Sequence, residues 1–364
     1  WGFQSCHLTL MLSGPRSRLI RSFYKLKGIQ MPTYEHTTKE AVNNLANNSA
    51  SRWFKTGIDP DDQDGPFAVQ RMKQPLFTPS IPDPGFRFSS QDGIFAMGSC
   101  FARGIENALL GKGFRVVSAA TEFDDFELAQ ENVTGRGFMN KYSTHALRHE
   151  LEWALDPNKR FPEESLVDLG DGTWVDPSAN PTLKWVNFGQ SVQRHETISR
   201  VVARIADCRV AVLTLGLVEL WFDHKTGIYL NMAPSPQMQQ LHPDRYSFQV
   251  SGFEENRANM EAIGNLLTAC GQNDLQIVVT TSPVPLMATF TNRDVVVANS
   301  YSKSILRAVA EDFASSRVNA HYFPSYEIVL NSDQGIAWTE DGRHVQPEVV
   351  HHIMALFQQH FVLV

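Results

Sequence analysis

Gly93-Ile-Phe-Ala-Met-Gly-Ser-Cys-Phe-Ala102 is the stretch on which the reading of this chain turns. Residues 94–97 are apolar without a break, as in a strand covered on both faces. Gly98 lets the backbone turn sharply. Residues 101–112 then carry Ile105, Ala108 and Leu109 at helical spacing, up to the stop at Gly111 and Gly113. Strand, glycine turn and helix make the opening unit of an α/β fold. The turn also brings two nucleophile types, the Ser99 hydroxyl and the Cys100 thiol, to a helix N-terminus. Negative charge is stabilised there, and free backbone N–H groups can hold an oxyanion. The plainer alternative makes Ser99 the N-cap of the helix and Cys100 a buried residue of its first turn.

The alternation continues outward from this unit. Spacing predicts a strand over 114–117 and a helix over 144–155, with Leu147, Leu151 and Leu155 on one face. Ile198, Val201, Val202 and Ile205 mark another helix, before a continuous apolar strand over 210–215. A hairpin over 221–230 turns near Lys225-Thr-Gly227. Helices over 254–269 and 296–314 flank a strand over 275–280. A short strand over 321–323 and a closing helix over 347–361, with Pro347 in its first turn, complete the pattern. Such a chain builds a mainly parallel sheet with helices on both faces. Its ligands bind at the carboxyl ends of the strands, where Ser99, Cys100, residues 216–219 and residues 282–285 fall.

Three further regions frame this domain, which is read as 93–364. Residues 31–92 are polar and interrupted by Pro75, Pro79, Pro82 and Pro84, so they are expected to form an N-terminal arm wrapped on the domain. Residues 156–195 are rich in turn dipeptides and read as an insertion with short strands. Residues 1–30 begin with Trp1 and carry Arg16, Arg18, Arg21, Lys25 and Lys27, with no acidic residue before Glu35. They read as a transit-like segment or, in the preferred reading, as an over-long reading frame upstream of Met31.

Bulk properties exclude several function classes. The 364 residues are 42% hydrophobic and 20% charged, enough for a sizeable core. A net charge of -7 argues against a nucleic-acid surface as the main function. No segment reaches the roughly 18 apolar residues of a membrane span. The four cysteines lack CxxC spacing, so neither a disulfide framework nor a thiolate zinc site is expected, and a reducing, cytoplasmic setting is. Cys208 and Cys270 read as small buried hydrophobes. No metal site is expected: His351 and His352 are adjacent on a helix, and His321, His344 and His360 lack ligand spacing. There is no GxGxxG and no GxxxxGK.

Chemistry is carried by combinations. Asp341-Gly-Arg-His344 sets a carboxylate three residues from an imidazole, whose tautomer it can fix and whose charged form it can stabilise. Alone this is a common Asp-Gly turn. After a nucleophile on an early strand-to-helix turn, it suggests acyl transfer or ester hydrolysis. Thr214-Leu-Gly-Leu-Val-Glu-Leu-Trp221 adds Gly216, which permits close backbone approach to a ligand, and Glu219, either a substrate contact or the partner of an arginine. Arg103 could meet an anionic group or sit as an exposed helix arginine.

With these motifs in hand, Gly98-Ser-Cys-Phe-Ala102 resembles the motif that names the GSCFA-domain family. The resemblance runs through Asn140-Lys-Tyr-Ser-Thr144, Thr214-Leu-Gly-Leu-Val-Glu-Leu-Trp221, Asn231-Met-Ala-Pro234, Ser282-Pro-Val-Pro-Leu286, Asn299-Ser-Tyr-Ser-Lys-Ser304 and Tyr322-Phe-Pro-Ser-Tyr-Glu327, over about 31–360. That family is similar to SGNH/GDSL-type hydrolases, which implies a flavodoxin-like three-layer α/β sandwich. The similarity implies acyl-ester chemistry on a carbohydrate or other small acylated substrate, by an esterase, deacetylase or O-acyltransferase, with acetyl-CoA as donor in the last case and no other cofactor. An ungapped match to Gly-Asp-Ser sets Ser99 on the Asp and Cys100 on the nucleophile. Asp341 and His344 match the Asp-x-x-His block, and Gly216 the glycine of Gly-x-Asn-Asp. Val218 and Glu219 stand in place of its oxyanion asparagine, for which Asn140 is the candidate replacement. A binding module that keeps the fold without turnover is the rival expectation.

Overall fold

The computed structural model describes residues 36–129, 136–179 and 182–363, so the basic segment 1–30 lies outside the described residues. In chain order the strands are β1 (Ile94–Gly98), β2 (Val167–Asp168), β3 (Trp174–Val175), β4 (Val210–Leu215), β5 (Glu219–Asp223), β6 (Ile228–Leu230), β7 (Tyr246–Val250), β8 (Gln276–Thr281) and β9 (Ala320–Tyr322). The helices are α1 (Thr38–Asn47), α2 (Ala68–Arg71), α3 (Phe101–Leu110), α4 (Thr144–Leu155), α5 (Phe188–Ala203), α6 (Pro236–Leu241), α7 (Phe253–Cys270), α8 (Val295–Ser316), α9 (Ser325–Asn331), α10 (Gln334–Ala337) and α11 (Pro347–Phe361).

The central sheet has the order β1-β4-β8-β9, all parallel. Its strands are apolar on both faces because alternate residues enter two different cores. Phe95, Met97, Ala211, Leu213, Ile277 and Val279 pack against α4, α5, α7 and α8. Ile94, Ala96, Val210, Val212 and Val278 pack against α3, α9 and α11. The result is a three-layer α/β sandwich, as the alternation of elements predicts. The expected strand over 114–117 is reduced to one bridge, Val116 to Ile94. Only the Ile94 N–H to Arg115 and Val117 N–H to Ile94 hydrogen bonds join the two segments. Counting that bridge as a rudimentary strand on the free edge of β1, the order is 2-1-3-4-5, with its switch point between β1 and β4.

A second, antiparallel sheet of order β6-β5-β7 follows the tip of β4. The expected hairpin turns at Gly227, whose φ is +72°. β7 was not expected, although Tyr246, Phe248 and Val250 alternate with Ser247 and Gln249 at the strand period. Residues 156–195 contain β2, β3 and the start of α5. Val167 and Leu169 from this region share a small core with Leu230 and Met238. In the N-terminal region, the fully buried Phe88 exchanges backbone hydrogen bonds of 2.9 and 2.8 Å with Phe361 and Leu363. Leu76, Ile81 and Phe86 lie along the α11 core. α1 has no buried residue and is held by a Thr37–Glu40 capping box. No described helix is long and apolar enough to cross a membrane.

Candidate active site

The β1–α3 turn sits at the switch point. Gly98 takes φ +124°, and a Cβ there would collide with the Thr214 carbonyl of β4, so both conformation and space require glycine. The turn aims the next two side chains in opposite senses. Ser99 is buried against β4: its Oγ lies 3.0 Å from Thr214 Oγ1 and accepts from Phe101 N–H at 3.3 Å. The N-cap position of α3 falls on Cys100 and has no side-chain cap, so Ser99 is not the N-cap that the plainer reading assigned. Cys100 stays partly exposed, unlike the buried first-turn residue of the plainer alternative. Burial raises the Cys100 thiol above its ordinary range, against the pull of Arg343, Lys303 and the N–H groups of Cys100 and Phe101. Among the described residues the Cys100 N–H has no carbonyl partner.

The Asp341–His344 pair forms. His344 Nδ1 lies 2.5 Å from Asp341 Oδ2. The other carboxylate oxygen accepts from Thr339 Oγ1 at 2.6 Å and from the N–H groups of Arg343 and His344 at 2.9 Å each. The Thr339 hydroxyl first, then the His344 backbone and ring, hold the Asp341 carboxyl well below the usual carboxylate range. Gly342, at φ +65°, closes the turn. One aspartate thus shapes the loop with one oxygen and orients the imidazole with the other. With Nδ1 donating to Asp341, Nε2 is the ring nitrogen that keeps its lone pair. No hydrogen bond joins His344 to Cys100 among the described residues; the residue of this loop whose charge acts on the thiol is Arg343. Its Nε donates to the Pro285 carbonyl at 3.2 Å.

The remaining predicted residues divide. Asn140, the candidate oxyanion donor, bridges to Gly98 and is buried beside the turn. Its Nδ2 reaches Tyr142 Oη at 3.3 Å, and its Oδ1 has no partner among the described residues. Gly216 is held close to Tyr142, whose carbonyl would lie 2.6 Å from an added Cβ. That carbonyl takes the Gly216 N–H, so the close approach is to the chain itself rather than to a ligand. Among the described residues Glu219 pairs with no arginine. It accepts from Thr289 Oγ1 at 2.6 Å and Phe290 N–H at 3.1 Å and so anchors the loop after β8. Arg103, expected as an exposed helix arginine or an anion contact, is buried: it ion-pairs with Glu106 at 2.7 Å and donates to the Ala96 carbonyl at 2.7 Å. Of the two expected buried cysteines, Cys208 is buried, its thiol pushed up to about 12 by burial, whereas Cys270 is exposed.

Sequence reasoning missed Lys303. It is 1% exposed, and its Nζ donates to the Gly216 and Val284 carbonyls, each at 2.7 Å. Burial pushes the ammonium down to about 7, against the pull of Cys100. A signal was present: Lys303 falls on the buried stripe Ala298, Ser302, Leu306, Val309, Ala310 and Phe313 of α8. A buried network also went unread. Lys141 Nζ lies 2.6 Å from Glu150, and His195 Nδ1 lies 2.9 Å from Asp176. Burial would raise the Asp176 carboxyl, but the charge and hydrogen bond of His195 bring it down to about 2. Lys141 N–H donates to the Gly98 carbonyl at 2.7 Å, so this network abuts the β1–α3 turn.

A family model described as the GSCFA family matches residues 93–357. No curated protein matches the chain.

Proposed function

The chain belongs to the GSCFA family, and from that premise we propose that it performs acyl-ester chemistry on a carbohydrate or other small acylated substrate, with Cys100 as nucleophile. The observation that carries this reading is that the loop of the formed Asp341–His344 pair is tied, through Arg343 Nε, to the Pro285 carbonyl after β8, at the same end of the sheet as Cys100. The C-terminal loop and the β1–α3 turn therefore share one rim. Because burial keeps the thiol protonated at rest, attack needs a base, and His344 Nε2 is the group oriented for it. As the sulfur–carbonyl bond forms, the thiol proton passes to His344. The oxyanion is held by the Cys100 N–H and the Asn140 amide. Collapse expels the alcohol of an ester, or the thiol of acetyl-CoA, and the leaving group takes the proton back from His344. Water then cleaves the thioester in an esterase or deacetylase. A sugar hydroxyl does so in an O-acyltransferase, for which acetyl-CoA is the donor. We assign the reaction to the cytoplasm, where the free Cys100 stays reduced.

A second reading, a carbohydrate- or acyl-binding module, is favoured by the missing His344–Cys100 hydrogen bond and by the Gly216 N–H being taken by Tyr142. Intact-mass spectrometry after exposure to 4-nitrophenyl acetate, or to acetyl-CoA, separates the two. The proposal expects an acetyl adduct that is lost in Cys100→Ala, retained in Ser99→Ala and slowed in His344→Ala. No adduct and no nitrophenol release in any of these proteins would leave the binding module.

A further inference from the structure

Two cations without a carboxylate of their own meet at the carboxyl ends of β4 and β8. Among the described residues neither Lys303 nor Arg343 takes part in an ion pair. Their partners are consecutive carbonyls of one loop, Val284 for Lys303 and Pro285 for Arg343, together with Gly216 for Lys303. These contacts use two of the three Lys303 N–H donors and one of the five of Arg343. Gly216 follows β4, whose Thr214 carbonyl takes the Ser99 N–H at 3.0 Å, so the Lys303 contact lies at the strand ends where Cys100 sits. Ser282, 1% exposed and joined through its N–H to Leu215 at 2.8 Å, adds a buried hydroxyl with no partner among the described residues. A buried cation ordinarily acquires a carboxylate to offset its lost hydration. Here the protein leaves that place open next to its nucleophile.

We propose that Arg343 and Lys303 form an anion subsite beside Cys100, so that the acylated substrate carries a carboxylate or phosphate close to its reacting carbonyl. This rests on the reading of Cys100 as the reacting centre, and it does not require turnover. Burial weakens the Lys303 ammonium, and a bound anion would restore it as the thiolate does.

Paired alkylation tests the subsite without an acyl-enzyme. In each case the thiolate sulfur displaces iodide, from anionic iodoacetate or from neutral iodoacetamide. Peptide mass spectrometry on the full chain gives both rates at Cys100 and, as internal control, at the exposed Cys270. Thiol basicity cancels in the ratio. The iodoacetate-to-iodoacetamide ratio at Cys100 is expected about tenfold above that at Cys270. It should fall to the Cys270 value in Arg343→Gln and survive in Arg343→Lys. A ratio equal to that of Cys270, or unchanged in Arg343→Gln, overturns the subsite. Protection from iodoacetamide then identifies the anion: inorganic phosphate acting at lower concentration than acetate assigns a phosphate group, the reverse a carboxylate, and protection by neither overturns the proposal. A normal ratio shift with no acetyl adduct would refute the acyl chemistry and leave the subsite standing.

Discussion

Side chains one position apart in Gly98-Ser99-Cys100 have opposite fates because the glycine turn fixes where each points. Gly98→Ala meets both a φ of +124° and the Thr214 carbonyl, so a loss of about 3 kcal/mol or more is expected, read from the urea midpoint. Ser99→Ala loses the buried hydroxyl contact with Thr214 and should cost only about 1 kcal/mol. At the other end of the site, Asp341 is exposed and contributes by orientation. In Asp341→Asn the loop contacts can persist through the amide oxygen, but the amide nitrogen cannot accept from His344 Nδ1. The expected outcome is thermal stability close to that of the unsubstituted protein and acetyl-adduct formation slowed about 100-fold. Unchanged adduct kinetics would remove His344 from the mechanism.

Elements that look peripheral hold the site's walls. Glu219, at the start of β5, ties down Thr289 and Phe290 in the loop between β8 and α8. Without its carboxylate this loop loses two anchors, so Glu219→Ala should be cut by trypsin at the exposed Arg293 several-fold faster. Unchanged digestion would mean that the loop is held by its apolar contacts, such as Phe290 on Trp221 at 5.1 Å. On the opposite side, Glu150 on α4 is fully buried between Lys141 and His195. Removing one partner of such a group strands the others, so Glu150→Ala is expected to cost about 3–5 kcal/mol in denaturant unfolding. The helices and strands that carry these residues were legible from period and turn chemistry, and their partners were not. A carboxylate on a helix face gives no sign in sequence of which distant lysine or loop N–H it will meet.

The molecule as a whole registers the buried lysine as a pH dependence. Folded Lys303 titrates at about 7, against an ordinary 10.5 in the unfolded chain. Between those values the unfolded chain holds a proton that the folded protein lacks, so stability rises with pH across the window. The contribution is complete above the unfolded value and is lost as pH falls to the folded one. It amounts to at most about 1.4 kcal/mol per pH unit. Lys303→Met should flatten that slope relative to the unsubstituted protein in urea titrations at pH 7, 8 and 9; equal slopes would show that Lys303 is not titrating there. Parallel sheet, flanking helices, the glycine turn after β1 and the Asp-His loop were all legible in the sequence, because periodicity, glycine and local carboxylate spacing act over a few residues. The choice of Cys100 over Ser99 as the accessible side chain, the inward pairing of Arg103, and the meeting of Lys303 with Arg343 were decided only by the tertiary structure. Each depends on which strand end faces which, and that is set by packing between segments as far as 115 residues apart, where the chain carries no local signal.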